Sequence, residues 1–277
     1  MSWRSSPEAG NSPDGDLLVG LLAVVGGTRP DADVGLIGRA YDFAARAHAG
    51  QSRKTGDPYI SHPVAVAAIL VQAGADDQTL CAGLLHDTPQ GGSYSLAALR
   101  GEFGADVTRL VTGVAALDDG FGTGQPGSRA DGPATEPTPD LRVSMIKLAD
   151  RLHNLRTAGP LPPATQLSKS RETLEVLVPL AASLGLDAIR TELAELAARM
   201  ISGHAASRAS PSGRLLAAAA ALLPRTARSR WRDEWAGELA ALPTRRGRAV
   251  FTARTLAGIP RLRVTLRRPP RADGTRR

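Results

Sequence analysis

Four side chains able to ligate a metal lie in three separate stretches of helical character, so any fold that uses them together must bring those stretches to one point. They are His62, the adjacent pair His86-Asp87, and Asp150. Two imidazoles and two carboxylates suit a divalent cation of intermediate hardness, such as Mn²⁺, Fe²⁺ or Zn²⁺. Such an ion activates water near neutral pH and polarises phosphoryl oxygens. The turn after the pair reads Thr88-Pro89-Gln90-Gly91-Gly92 and holds no acid to manage protons.

The surrounding sequence predicts helices and no sheet. Asp33 is a suitable N-cap for a helix to His48, with Leu36, Ala40, Phe43, Ala44 and Ala47 at helical spacing and Gly50 as its stop. Gln51 to Tyr59 is polar and carries Gly56 and Pro58, which marks a loop. A second helix begins near Ser61 and ends by Gly74, and a third, capped by Asp76 or Asp77, ends near Asp87. Ser95 to Phe103 and the Val107–Val114 face follow, separated by Gly104. A stretch rich in Gly, Pro, Thr and Asp over 118–139 reads as a flexible loop. Helices resume over 140–156, 164–184 and 187–201. Aromatic residues make up only 4% of the chain, so an Ala, Leu and Val core of packed helices is expected. The fold class is all-α, with a loose N-terminal segment at 1–32, a central domain at 33–202 and a basic helical extension at 203–277. Residues 203–211 read as a linker. Helices are expected at about 215–223, 232–242 and 248–257.

Charge divides the chain. Residues 203–277 hold 17 arginines, no lysine and 4 acidic residues, whereas the whole chain is only +7. That tail suits nucleic acid, an anionic membrane or the ribosome, on charge alone. Trp231 and Trp235 share a helical face and read as core. The apolar stretch Leu17–Val25 is too short to span a bilayer and follows acidic residues, so a short helix packed on the domain is expected. The single cysteine, Cys81, sits in an apolar run and fits a reducing cytoplasm.

Several motifs then appear together. The run from Ala47 through Gln51-Ser52-Arg53-Lys54 to His62-Pro63-Val64, the segment Thr79–Asp87, Glu102-Phe103-Gly104, Lys147–Thr157 and Arg171–Glu175 occur in that order. Over roughly residues 35–200 the chain resembles the hydrolase domain of the RelA/SpoT alarmone enzymes. The resemblance implies an all-helical domain of the HD superfamily that binds Mn²⁺ and removes the 3′-pyrophosphate from ppGpp or pppGpp. It implies His62, His86, Asp87 and Asp150 as metal ligands. It also implies Arg53 and Lys54 as contacts to the guanine nucleotide, and Asn154 and Thr157 as residues facing ribose and phosphate. His48 and His153, outside the ligand set, are expected to be structural.

The chain departs from that pattern where Gln90-Gly91 replaces an acidic Glu-Asp pair. Glutamine exchanges no proton near pH 7, and loss of general acid–base help typically lowers rates ~10²–10⁴-fold. Gln90 is therefore the candidate for orienting water in place of the missing acid. The helix that often precedes the Asp150 segment is replaced by 118–139, and residues 203–277 are too few for a synthetase domain. Three functions follow: a metal-dependent (p)ppGpp pyrophosphohydrolase, a degenerate alarmone-binding regulator, or an HD phosphohydrolase for another nucleotide.

Overall fold

The computed structural model describes residues 13–88, 95–122 and 140–267, which build helices and no strand. Packing divides the chain into two compact units: Met1–Thr157 with Leu177–Leu193, and Ala158–Val176 with Ala194–Arg277.

The first unit contains α1 (Pro13–Thr28), α2 (Val34–Ala47), α3 (Ser61–Gln72), α4 (Asp77–Leu85), α5 (Leu96–Gly122), α6 (Leu141–Arg156) and α8 (Val178–Ser183). Its helix starts follow capping chemistry. Asp33 accepts from Leu36 N–H at 2.8 Å, Asp76 from Thr79 N–H at 2.7 Å and Asp140 from Arg142 N–H at 3.0 Å. Its breaks follow glycine: Gly50, Gly74 and Gly104 all have positive φ, and Gly104 interrupts α5. The core is aliphatic, with Ile37, Leu70, Leu80, Leu84, Leu110, Ile146 and Leu148 fully buried. Helix α4 packs on α2, α3, α5 and α6, so its C-terminal end, which leads to His86, is surrounded by neighbours. Gly83 permits that approach, because a Cβ there would collide with Cδ1 of the fully buried Leu70.

The N-terminal segment expected to be loose holds α1. Leu21 and Val25, one turn apart, are buried, and the helix packs on α2 and α3. Arg29, just past its end, donates to the Ala75 carbonyl at 2.7 Å and pairs with Asp77 at 2.9 Å. Helix α5 likewise runs on to Gly122, inside the 118–139 stretch read as a loop, because extending an established helix is easier than nucleating one. Residues 123–139, and Gln90 with Gly91, lie outside the described residues.

The second unit contains α7 (Pro163–Glu172), most of a π-helical turn (Thr173–Leu177), the greater part of α9 (Asp187–Ala209), α10 (Pro211–Ala220), α11 (Arg228–Ala241) and α12 (Arg245–Arg267). The π turn precedes Pro179, which lacks the N–H that would bond the Glu175 carbonyl and whose ring crowds it. Packing therefore places 158–176 and 194–202 with the arginine-rich helices, not with the central domain expected at 33–202. The expected linker 203–211 is helical as far as Ala209. His204 and Ser207 are buried there, and tertiary packing overrides the weak local signal. Ser210 then caps α10 by accepting from Gly213 N–H at 3.0 Å.

Leu216, Leu223, Trp235, Leu239 and Ile259 form an apolar core, against which Trp231, Phe251 and Leu262 pack. The tryptophans, with ring centroids 5.7 Å apart, belong to that core, as their spacing predicts. No described helix is long and apolar enough to cross a membrane.

Candidate metal centre

Three elements of the first unit deliver the predicted ligands to one place. His62 is the second residue of α3, His86 and Asp87 follow the last turn of α4, and Asp150 lies within α6. His62, His86 and Asp87 offer ligand atoms within 4.8 Å of one another. Asp150 Oδ1 completes the set, 3.2 Å from His62 Nε2 and 3.8 Å from His86 Nε2. Asp87 faces both rings, at 3.5 Å from His62 Nε2 and 3.3 Å from His86 Nε2.

Donor and acceptor logic decides which nitrogens are bare. His86 Nδ1 lies 2.8 Å from the Gly83 carbonyl, which can only accept, so Nδ1 carries the hydrogen. In the neutral ring Nε2 then presents a lone pair, and this buried atom has no hydrogen-bond partner among the described residues. His62 Nδ1 lies 2.7 Å from His153 Nδ1, which also receives Arg53 Nη1 at 3.0 Å. Arginine only donates, so His153 Nδ1 accepts, His62 Nδ1 carries its hydrogen, and His62 Nε2 is bare. Two lone pairs thus confront two carboxylates. A cation between them removes that mutual repulsion, and fixing the remote ring nitrogen by a hydrogen bond is how proteins orient histidine ligands. These residues fit a divalent metal.

The electrostatics agree. Burial, aided by the neighbouring His86, lowers the His62 pKa despite the pull of Asp150 and Asp87, so the ring is neutral near pH 7. Burial also opposes a charge on His86, yet the Asp87 and Asp150 carboxylates win and raise its pKa. The field that draws a proton there also draws a metal ion. Burial would push both carboxyls up. The fields of His86 and Lys147 nevertheless hold Asp150 far below the usual range, and the field of His86 lowers Asp87.

A second set of side chains secures this cluster. The Tyr59 hydroxyl donates to Asp87 Oδ2 at 2.7 Å, Asn154 Nδ2 donates to Asp150 Oδ1 at 2.6 Å, and Lys147 Nζ approaches Asp150 Oδ2 at 3.4 Å. Burial and the Asp87 carboxylate raise the Tyr59 pKa, so it stays a donor. The loop between α2 and α3 is a tight hairpin. Arg53 N–H bonds the Asp57 carbonyl at 2.9 Å, and Gly56 takes a positive φ at its turn. Arg53 is thereby aimed at α6, where Nη2 reaches Asn154 Oδ1 at 3.3 Å and Thr157 Oγ1 at 3.2 Å. Lys54, beside it, is exposed and outside this network. A cavity of about 330 Å³ opens here, lined by Leu17, Arg53, Thr55, Asp57, Pro58, Ser61, His153 and Thr157.

The structure therefore unites His62, His86, Asp87 and Asp150, links Arg53, Asn154 and Thr157 to them, and leaves Lys54 at the rim. Tyr59, Lys147 and His153 were missed as site residues. His153, expected to be structural, makes short contacts to Arg53 and His62. Its signal was present, since Lys147 and His153 each lie three residues from Asp150 and share its helical face. His48 does serve structure, stacking on Tyr59 at 4.5 Å and bonding Gln51 at 3.0 Å.

An all-helical unit that gathers histidines and aspartates from separate helices around one candidate cation site is the arrangement of a domain built on the HD motif. The family model described as HD domain matches residues 40–127 and 137–187, and the chain belongs to this family, in its RelA/SpoT-type branch. It is 44% identical over 201 residues to the probable GTP pyrophosphokinase of Mycobacterium leprae, covering 68% of this chain and 26% of that protein. It is 40% identical over 213 residues to the bifunctional (p)ppGpp synthase/hydrolase RelA of Mycobacterium tuberculosis, covering 72% and 29%. It is 43% identical over 165 residues to the guanosine-3′,5′-bis(diphosphate) 3′-pyrophosphohydrolase of Haemophilus influenzae, covering 58% and 24%. The chain thus spans about a quarter of the length of these relatives.

Proposed function

We propose that the first unit is a metal-dependent pyrophosphohydrolase that removes the 3′-pyrophosphate from ppGpp or pppGpp, with Mn²⁺ as the resident ion. The observation that carries this reading is the unpaired, buried His86 Nε2 beside His62 Nε2, both facing the Asp87 and Asp150 carboxylates, next to a cavity lined by Arg53. His62, His86, Asp87 and Asp150 would hold the ion, which supplies a Lewis acid to activate water and neutralise developing phosphoryl charge. Arg53 offers a planar fork for phosphate or a face for a base, and Lys54 adds a point charge at the rim. Asn154 and Thr157, tied to Arg53, are set to meet the ribose and the adjoining phosphate. A reducing cytoplasm suits Cys81, whose thiol is pushed up to about 12 by burial and nearby Asp77, and which is therefore inert. The test is single-turnover hydrolysis of ppGpp by the purified chain with Mn²⁺, beside Asp150→Ala. Release of GDP and pyrophosphate that disappears in the variant supports the reading.

A second reading rests on Gln90-Gly91, which supply no proton donor. In it, the unit binds the alarmone and signals without turning it over. Mn²⁺ and ppGpp binding without hydrolysis, with hydrolysis restored by Gln90→Glu combined with Gly91→Asp, decides for this reading. Turnover of another nucleotide alone decides for the third class.

For the second unit we propose contact with an anionic lipid surface through the outer side of α12. Arg246, Arg254 and Arg261 are exposed there beside exposed Val250 and Val264, and the helix holds no acidic residue. Arginines among exposed aliphatic side chains suit an acidic headgroup layer better than a nucleic-acid groove.

A further inference from the structure

His153 stands between two parts of the site that have different tasks. On one side its Nδ1 lies 2.7 Å from Nδ1 of His62, whose opposite nitrogen faces Asp87 and Asp150. On the other side the same atom lies 3.0 Å from Arg53 Nη1, at the cavity. One acceptor atom therefore receives two donors. Neither contact involves a ligand atom turned toward the cation site.

The hydrogen-bond inventory makes this arrangement directional. A guanidinium has no acceptor, so Arg53 obliges His153 Nδ1 to keep its lone pair. A lone pair there in turn obliges His62 to carry hydrogen on Nδ1 and to bare Nε2. Without His153, no contact of His62 Nδ1 among the described residues would favour that tautomer. The two carboxylates, 3.2 and 3.5 Å from Nε2, would favour the opposite one by accepting an Nε2–H. The unaided ring would therefore settle with its hydrogen on the nitrogen that a metal needs.

We propose that His153 is a positioning residue that holds His62 in its metal-competent tautomer and couples that state to the nucleotide-facing Arg53. This rests on the metal-centre reading above. Its consequence is that the cavity and the cation site are wired together before substrate arrives. Displacing Arg53 from His153 relaxes the constraint on a ligand it never touches.

The test compares the full chain with His153→Leu and His153→Asn. Leucine fills similar space and accepts nothing. Asparagine places an acceptor oxygen on the same Cγ, close to where Nδ1 lies. Mn²⁺ binding is measured by calorimetry, and the His62 tautomer of the metal-free protein is read from long-range ¹H–¹⁵N imidazole spectra. Groups that hydrogen-bond the outer nitrogen of a metal-bound histidine typically contribute about 10–100-fold in affinity, so His153→Leu should bind Mn²⁺ weaker by about that factor. Its His62 should move toward the Nε2–H form. His153→Asn should restore both the affinity and the Nδ1–H signature, which a space-filling role would not predict. Arg53→Leu should give a smaller loss in the same direction. Wild-type affinity and an unchanged His62 signature in His153→Leu would overturn the proposal. If the wild-type chain itself binds no Mn²⁺, the metal-centre reading fails, and the tautomer spectra still decide the role of His153.

Discussion

The two units bury different chemistry. The first encloses His62, His86, Lys147 and Asp150, each no more than 7% exposed, within otherwise aliphatic helices. The second closes on Leu216, Leu223, Trp235, Leu239 and Ile259 and carries its arginines outside. Burying charge is unfavourable unless each group is paired, and a bare Nε2 is not. In the proposed reading, the first unit accepts that penalty because a cation would complete the cluster. The second has no such reason, and its core follows the ordinary rule that apolar burial stabilises. Within one helical chain, a buried cluster of opposed histidines and carboxylates thus marks the candidate site, whereas the second unit buries separate polar groups such as His204 and Ser207 around an apolar core.

Substitutions and ligands should separate the two. The largest effect expected is at Trp235, 5% exposed in the second core, where Trp235→Ala should lower the unfolding free energy by ~3–5 kcal/mol. Mn²⁺ affinity should stay at the wild-type value in that variant, and denaturant unfolding with parallel calorimetry checks both. A drop in affinity would break the comparison by tying the apolar core to the metal site.

The converse test adds Mn²⁺. At a hundredfold excess over its dissociation constant, the ion should stabilise the wild-type chain by ~2.7 kcal/mol. In Asp150→Ala most of that gain should vanish, as read from the shift in thermal midpoint.

A smaller effect sits at the start of α6, the helix that carries Asp150. Hydrogen bonds from Arg142, with Arg109 adding to them, hold the Asp140 carboxyl down at about 2 against an ordinary 3.8. A folded value below the unfolded one means the stabilisation is complete above about pH 4. It drains away as pH falls toward about 2. Asp140→Asn keeps a capping oxygen but should flatten the stability-versus-pH curve in that window. Asp140→Ala should cost ~1 kcal/mol at neutral pH through the lost cap.

The smallest effect is at the outer face of α12. Arg254→Ala should weaken binding to vesicles containing anionic lipid by about 1 kcal/mol or less, and salt should weaken it further. Co-sedimentation checks this, and equal binding to neutral vesicles would remove the electrostatic reading.

Much of the site was legible in the residues. His62, His86, Asp87 and Asp150 stood out because ligand chemistry restricts the side chains that serve and the helical spacing places them. Arg53 and Thr157 stood out through the motifs around them. Tyr59 and Lys147 did not, because a tyrosine in a polar loop and a lysine in a helix usually face solvent. In the fold, the capping aspartates and the glycines at 50, 74 and 104 marked their boundaries, because caps and left-handed turns are local chemistry. The stretch 203–209 was misread as linker because its small residues signal little, and the burial of His204 and Ser207 accompanies its continuation of α9.

What the sequence by itself determined is the helical class, the positions of most helix ends and the identity of the residues able to hold a cation. These depend on spacing and on side-chain chemistry that neighbours in the chain already specify. Only the tertiary structure decided which nitrogen of each histidine faces inward, that His153 joins Arg53 to His62, and that 158–176 belongs with the C-terminal helices. Those outcomes depend on contacts such as Arg53 with His153, a hundred residues apart, where direction and distance exist only once the helices have packed.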